Sequence, residues 1–422
     1  MGKDDGKVLI VGAGPAGVAS ALFLSKKGVK SILIDKETFP RDKICGDGLS
    51  GWVISMLYKL DMGLVEEIKN DSRALDSWGI IFYAPNLKSL ALPYVFRKRP
   101  DEAPGYVIRR KHFDEILINK VKENTLIELI ENFKVTEFHN LGNKVEVKSD
   151  SGKTLTGSMT IFCDGAKSKF AKAHAGMPKI DKHWATGIKT YYKNLRPRVE
   201  QPVPERSRRV NPVEFYFLNG ILPGYLWIFP LPNGEANVGL GIRTDIMKKK
   251  KINLKSALYQ AINDTPELKE RFKNAEQTSP IQAWGLPLGT KKEKLSGDRF
   301  LLAGDAASLI DPFTGEGVGN ALNSGFHAAE HIEECLAADK FDAEFNKKYD
   351  KRVYDKLWKE LRISAAIQKL LVHPGLFSWV MNKAISNIYL KQSFIKMIDD
   401  LDERKRLKNP LFYLRILFSK KD

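Results

Sequence analysis

The stretch Val8–Gly17, VLIVGAGPAG, sets three glycines at GxGxxG spacing directly behind four apolar residues. Those residue types in that order hold a pyrophosphate. Gly12 permits a sharp turn, Gly14 lets the backbone approach the anion, and Gly17 lets a helix pack on a strand, while the helix N-terminus aims free N–H groups at the phosphates. Pro15 and Ala16 complete the turn. Asp35 stands about 23 positions beyond Gly12, at the end of a second apolar run, where such folds place a carboxylate on a ribose hydroxyl. Lys36 follows it. The first chemistry to read is therefore dinucleotide binding.

Other residues complete a site around that ligand. Asp164-Gly165 ends an apolar run at Met159–Cys163, and Gly304-Asp305 ends another at Phe300–Ala303. Both put small or acidic residues at a strand's carboxyl end, facing the crevice where doubly wound folds bind ligands. After Pro312, Gly315, Gly317, Val318 and Gly319 open a small-residue helix, so backbone N–H groups there can meet ring oxygens or phosphate. No complete βαβ unit surrounds them, so this is not a second dinucleotide fingerprint. Arg109, at a strand-to-helix junction, suits contact with an anionic or carbonyl-rich cofactor, and suits plain surface equally. Cys45-Gly46 lies in a charged, glycine-punctuated loop that either touches the cofactor or carries one small buried thiol. Tyr225, Trp227 and Phe229 alternate, ahead of Pro230, and so share one sheet face, which either walls an apolar cavity or is ordinary core.

The elements that must hold these residues alternate between two patterns. Lys30–Ile34 reads as the second parallel strand, and about Trp52–Leu60 as a helix. Ser77–Tyr83 and Leu90–Val95 read as an antiparallel ribbon. Ile127–Phe138, Lys144–Lys148 and Thr154–Cys163 read as strands, with a hairpin turn at Asp150–Lys153. Trp184–Tyr192, Val213–Leu218, Gly224–Leu231 and Glu235–Ile242 form a second sheet, with Asn219-Gly220 and Asn233-Gly234 as turns. Lys248–Lys251 reads as the solvated start of an element, and a helix begins near Leu254. Residues 342–422 read as helices broken at His373–Gly375 and Asn409-Pro410. Its last segment mixes Leu411, Phe412, Leu414 and Ile416 with Arg404, Arg406, Arg415 and Lys420, which suits a helix on an anionic membrane, a lid, or a cap on its own domain.

Bulk composition bounds the classes. The chain has 422 residues, 43% hydrophobic and 28% charged, enough for two or three units with a sizeable core. Cys45, Cys163 and Cys335 are scattered, with no CxxC, so neither a disulfide framework nor a cysteine zinc site is indicated, no metal is expected, and a reducing cytoplasm fits. The charge of +17 fixes only the sign of a partner: nucleic acid, anionic lipid and anionic substrates all qualify. No nucleic-acid recognition module is visible, so nucleic acid is not expected. Val8–Ser25 is uncharged but interrupted by Gly and Pro, and no other stretch is long enough to span a bilayer.

Taken together, GAGPAG with Asp35, Asp164-Gly165 and Gly304-Asp305 resemble the three FAD-contacting segments of the flavoprotein monooxygenase and reductase superfamily, in matching order over most of residues 7–335. Within it, Lys43-Ile44-Cys45-Gly46 and Tyr225–Pro230 with Val238-Gly239-Leu240-Gly241, similar to YxWxFP…VGxG, resemble the geranylgeranyl reductases. The loop Asp311–Gly317 resembles theirs as well. One position departs: Asp47 follows Gly46 where many members carry a second glycine, so a carboxylate there either alters what the loop admits or faces water.

The resemblance implies an α/β fold with a discontinuous Rossmann-type FAD-binding domain over 1–75, 101–180 and 285–335. It also implies an inserted antiparallel-sheet substrate domain over 76–100 and 181–284, and a C-terminal helical region over 336–422. It implies FAD as cofactor and saturation of isoprenoid double bonds, with Cys45 as the catalytic thiol near the flavin and Tyr225, Trp227, Phe229 and Pro230 binding a prenyl chain. Reducing equivalents would come from NAD(P)H or a ferredoxin-like protein, at a cytoplasmic site with possible contact to an anionic membrane. Two rivals share the scaffold: an oxygen-using monooxygenase or halogenase, whose WxWxIP box Tyr225 and Phe229 break, and a membrane-surface electron-transfer flavoprotein.

Overall fold

The computed structural model describes residues 6–93, 102–196 and 211–387. The expectations for Val95, for the break at Asn409-Pro410 and for the basic, apolar segment from Arg404 to Lys421 lie outside them.

A six-stranded sheet carries the dinucleotide end. Its order is Ser296–Gly297, Phe300–Leu302, Met159–Phe162, Val8–Val11, Ser31–Ile34, Ile127–Ile130, parallel throughout except for the first strand. The central strands are mostly apolar and fully buried because helix Pro15–Lys26 covers one face and the three-stranded sheet of Val135–Asn140, Val145–Ser149 and Thr154–Gly157 covers the other, with Phe138 packed on Phe162 and Phe300. Register aligns Val11 with Ile34 and Phe162, and Phe162 with Leu302. The residues that follow, Gly12, Asp35, Cys163 and Ala303, thus leave the sheet at one edge. Helices Pro15–Lys26 and Val318–Ala338 pack so closely that a Cβ on Gly325 would lie 2.5 Å from the Ala16 carbonyl oxygen.

The second sheet has eight strands. Trp184–Lys193, Ala236–Arg243, Tyr225–Pro230 and Val213–Tyr216 are antiparallel neighbours, and the ribbon Gly79–Tyr83 and Ser89–Pro93 joins through a parallel pairing of Gly79–Tyr83 with Val213–Tyr216. Gln282–Pro287 pairs with Trp184–Lys193, so a boundary at 284/285 cuts a strand. Ala74–Ser77 pairs with Gly105–Ile108 in a separate three-stranded sheet with Gly48–Leu49, so a boundary at 75/76 cuts another.

Three other expectations change. Ile127–Phe138 is two strands in two sheets, Ile127–Ile130 and Val135–Asn140, because residues 131–134 leave the parallel sheet at the cofactor edge. Thr154–Cys163 divides at Ser158 in the same way. The lysine run at 248–251 ends the helix Thr244–Lys249 rather than starting an element, a placement that suits the negative end of the helix dipole. Helices Ala343–Leu370 and Pro374–Ser386 are broken at His373-Pro374 as the sequence indicates.

Candidate active site

A cavity of about 780 Å³ opens along the aligned strand ends. It runs from Asp35, Lys36 and Thr136 past Gly12–Ala16 and Gly165 to Asp305 and Gly315–Val318. Gly12 has φ +104°, and a Cβ there would lie 2.4 Å from the Cys163 carbonyl oxygen, so only glycine allows the turn. The Asp35 carboxylate accepts the N–H of Ala13 at 2.7 Å and of Glu37 at 2.9 Å, which fixes it on the wall. Asp164 holds a buried Oδ1 with no partner, and burial pushes its carboxyl up to about 6. A backbone cradle between the held Asp35 carboxylate and the unpartnered Asp164 Oδ1 fits a dinucleotide such as FAD.

Five residues singled out for the ligand stand off the wall. Gly17 packs behind the turn, where a Cβ would lie 1.9 Å from the Gly12 carbonyl oxygen, and Gly319 packs against Trp52. Pro312 accepts Gln368 Nε2–H at 2.6 Å, tying the loop to helix Ala343–Leu370. Pro230 ends its strand outside the cavity. Arg109 stands off the cavity: its Nη2 pairs with Glu235 at 2.6 Å, and its guanidinium lies 4.2 Å from the Tyr191 ring. One residue later Arg110 opens helix Arg110–Lys122, lines the cavity and is 5% exposed. It binds Asp114 bidentately at 2.8 and 2.9 Å and lies beside Cys45; burial opposes its charge, while Asp114 and Cys45 hold it and raise its pKa.

The aromatic face proves to be cavity wall rather than core. Leu226 and Ile228 point into the sheet's far core, whereas Tyr225, Trp227 and Phe229 are half-buried on the cavity. Each ring does something different. The Tyr225 hydroxyl donates to the Thr314 carbonyl, fastening the glycine loop. Phe229 lies under the cysteine loop, where a Cβ on Gly46 or Gly48 would come within 3.0 or 3.1 Å of its Cε2. Trp227 lies across Gly187, Gly239 and Gly241, and a Cβ on Gly239 would sit 2.0 Å from its Cζ2. The glycines of VGxG are the bed of the indole.

The cysteine loop is held from below. Cys45 is half-buried and on the wall. Its carbonyl accepts Asn237 Nδ2–H at 2.8 Å, and Asn237 Oδ1 accepts the Trp227 indole N–H at 2.9 Å. Asp47 neither faces water nor reaches the cavity: it is fully buried beneath the loop.

Sequence reasoning missed several wall residues. Phe215 and Phe217 extend the aromatic wall, with Phe215 edge-on to Tyr225 and Phe229 at 5.1 and 5.3 Å between centroids, and Phe217 stacked on Phe313 at 5.9 Å. Lys43 and Lys167 flank the Trp284 ring at 4.1 and 4.5 Å. Burial lowers the Lys43 ammonium below the ordinary lysine value, against the pull of Asp305. Lys189, 1% exposed, also lines the cavity. Alternation on Val213–Tyr216 was the available signal for Phe215, but Glu214 and Tyr216 on its other face are buried too, bound to Arg271 at 2.7 and 2.9 Å.

Comparison with known proteins agrees with this geometry. Residues 5–198 match the family model for an FAD binding domain, and residues 203–280 match that for a geranylgeranyl reductase catalytic domain. A digeranylgeranylglycerophospholipid reductase of Methanosarcina acetivorans is 30% identical over 376 residues, covering 85% of this chain and 81% of that protein. The chain belongs to the geranylgeranyl reductase family. The reductase is thus an FAD-dependent oxidoreductase acting on carbon–carbon double bonds of isoprenoid chains. A menaquinone reductase of Mycobacterium tuberculosis is 27% identical over 360 residues, covering 81% of the reductase described here and 82% of its own length. In fold, the reductase resembles a geranylgeranyl bacteriochlorophyll reductase-like protein of Thermoplasma acidophilum, with TM-score 0.76 at 22% identity over 95% and 98% of the two chains. Among the described residues of the reductase, no His, Cys, Asp and Glu cluster could hold a metal, and no helix is long and apolar enough to cross a membrane.

Proposed function

We propose that this reductase saturates the prenyl chain of a membrane-derived lipid, held along the aromatic wall with one double bond at a time beside Cys45. The observation that carries the reading is the meeting of the cysteine loop and the aromatic wall at one end of the dinucleotide cavity, through Phe229 under Gly46 and Asn237 between Trp227 and Cys45. FAD, once reduced, supplies the hydride.

The chain's own residues do the rest. Gly12–Ala16, Asp35, Asp164 and Gly315–Val318 hold the dinucleotide. Trp227, Phe229 and Phe215 align an unpolarised alkene and exclude water, since such a bond offers no charge for the protein to grip and the rate depends on orientation. Cys45 holds or relays the proton for the second carbon, and Arg110 beside it keeps that corner positive. Lys43 and Lys167, at the Trp284 ring, meet an anionic head group. Electrons arrive from NAD(P)H or a ferredoxin-like protein, and an anionic membrane surface presents the lipid.

The substrate's carrier is tested by offering the reduced holoenzyme a digeranylgeranyl glycerophospholipid, geranylgeranyl diphosphate and menaquinone in parallel. The reading expects the phospholipid to be saturated fastest; a clear preference for menaquinone would move the assignment to quinone side chains.

A further inference from the structure

Asp47 is fully buried, stands off the cavity wall, and has φ +68°, the left-handed region that glycine prefers. Three donors nevertheless converge on its carboxylate. Oδ1 accepts the backbone N–H of Arg110 at 3.0 Å, and Oδ2 accepts the Tyr191 hydroxyl at 2.8 Å and Asn237 Nδ2–H at 2.7 Å. Lys189 Nζ donates to the Tyr191 hydroxyl at 2.8 Å and supplies the counter-charge from the cavity wall. A carboxylate at a strained backbone position, taken out of water, persists only where its acceptors are used.

We propose that Asp47 is a positioning residue that fixes the Asn237 amide, and through it both the Cys45 carbonyl and the Trp227 indole. The inference rests on the reading of Cys45 and Trp227 as parts of the prenyl site. An amide has two faces with opposite hydrogen-bond sense. An acceptor at Oδ2 of Asp47 forces Nδ2 of Asn237 toward Asp47 and Cys45, which leaves Oδ1 as the acceptor for Trp227. If the Asp47 acceptor is lost, Nδ2 keeps only the Cys45 carbonyl, and the amide is held by that bond and the Trp227 N–H alone, with its position no longer fixed from below. Cys45 then loses its firm tie to the wall, while the glycine bed still seats the Trp227 indole and Phe229 still lies under the loop.

Asp47→Gly tests this cleanly, because glycine accepts φ +68° without strain and the substitution deletes only the carboxylate. Asp47→Asn is the second variant: its amide must offer N–H groups to Asn237 Nδ2 or to Tyr191, or else give up the Arg110 N–H. The first measurement is the rate of Cys45 alkylation by iodoacetamide in the FAD-loaded protein, with Cys45→Ser as blank, since Cys163 and Cys335 are buried. The second is kcat and KM for the prenyl lipid. The proposal expects both variants to retain FAD, with alkylation at least fivefold faster, kcat at least tenfold lower and KM within threefold of wild type. Alkylation within twofold of wild type in a variant that retains FAD overturns the proposal, and Asp47→Asn decides if Asp47→Gly does not retain it. Faster alkylation in a protein that saturates no prenyl chain sustains the positioning role and removes the prenyl reading instead.

Discussion

The indole N–H of Trp227 ends 2.9 Å from Oδ1 of Asn237, whose other amide atom reaches the carbonyl of Cys45, 192 positions away in sequence. One side chain therefore ties the aromatic wall to the thiol loop. The two segments that resemble the geranylgeranyl reductases are in contact: the cysteine loop lays Gly46 and Gly48 over Phe229, while Gly239, from the ring-bearing segment itself, lies under Trp227.

Trp227→Ala should raise KM for a prenyl lipid at least tenfold, because it removes the largest ring from the wall. Gly239→Ala should do the same by another route, since its Cβ would displace the indole; overpacking there should also cost about 1–3 kcal/mol of stability. Steady-state kinetics and thermal unfolding check both. An unaltered KM in Trp227→Ala makes this face ordinary core.

Cys45→Ser should keep FAD bound and slow saturation at least tenfold. The flavin absorbance of the purified variant reads the first part, and product formation under anaerobic turnover reads the second. Wild-type turnover would remove Cys45 from the catalytic site.

The arginine pair separates surface from site. Arg110→Ala should lower FAD occupancy of the purified protein severalfold, because the cavity wall loses a cation and the buried Asp114 keeps only its single bond from Arg41. Arg109→Ala, which loses an ion pair about one-third exposed, should leave FAD occupancy within twofold of wild type. The ratio of flavin to protein absorbance distinguishes them, and the opposite ranking would return Arg109 to the cofactor site.

Asp164 sets a pH dependence in the FAD-free protein. Its folded pKa, raised by burial from 3.8 to about 6, lies above the unfolded one, so its contribution to stability is fully present below about pH 4 and is lost as pH rises through 6. Asp164→Asn should therefore be more stable than wild type at pH 8, by roughly 3 kcal/mol, with the gap closing toward pH 4. The same variant should bind FAD more weakly, having exchanged one of the two Asp164 carboxylate acceptors on the cavity wall for an amide N–H. Melting temperatures across pH and an FAD titration check the two halves, and a gap that widens toward low pH contradicts the first.

The legibility of this chain divides by distance. The dinucleotide end was readable because each strand and its terminal residue are adjacent in sequence: Val8–Val11 with Gly12, Ser31–Ile34 with Asp35, Phe300–Leu302 with Gly304. Parallel register then brings these ends together. The sheet face of Tyr225, Trp227 and Phe229 was readable as a face, but not as wall or core, since alternation does not say what lies opposite. Arg109 and Arg110 show the limit of a junction: one residue decides between solvent and site, and the helix start sets which. Tyr191 and Asn237 had no local signal at all, and Asp47 stood out only as a departure from the family's glycine. Their meaning lies in contacts across 144 and 190 positions, and a buried carboxylate in a loop of charged residues looks in sequence like any solvated one.

The most direct test of the central claim is an anaerobic incubation of the FAD-loaded protein, reduced with dithionite, with geranylgeranyl diphosphate and a membrane-lipid extract, followed by mass spectrometry and flavin absorbance. The account expects a prenyl species to gain two mass units per double bond, with flavin reoxidation in step. Reoxidation by quinone or by admitted oxygen, with no prenyl species gaining hydrogen, would contradict it.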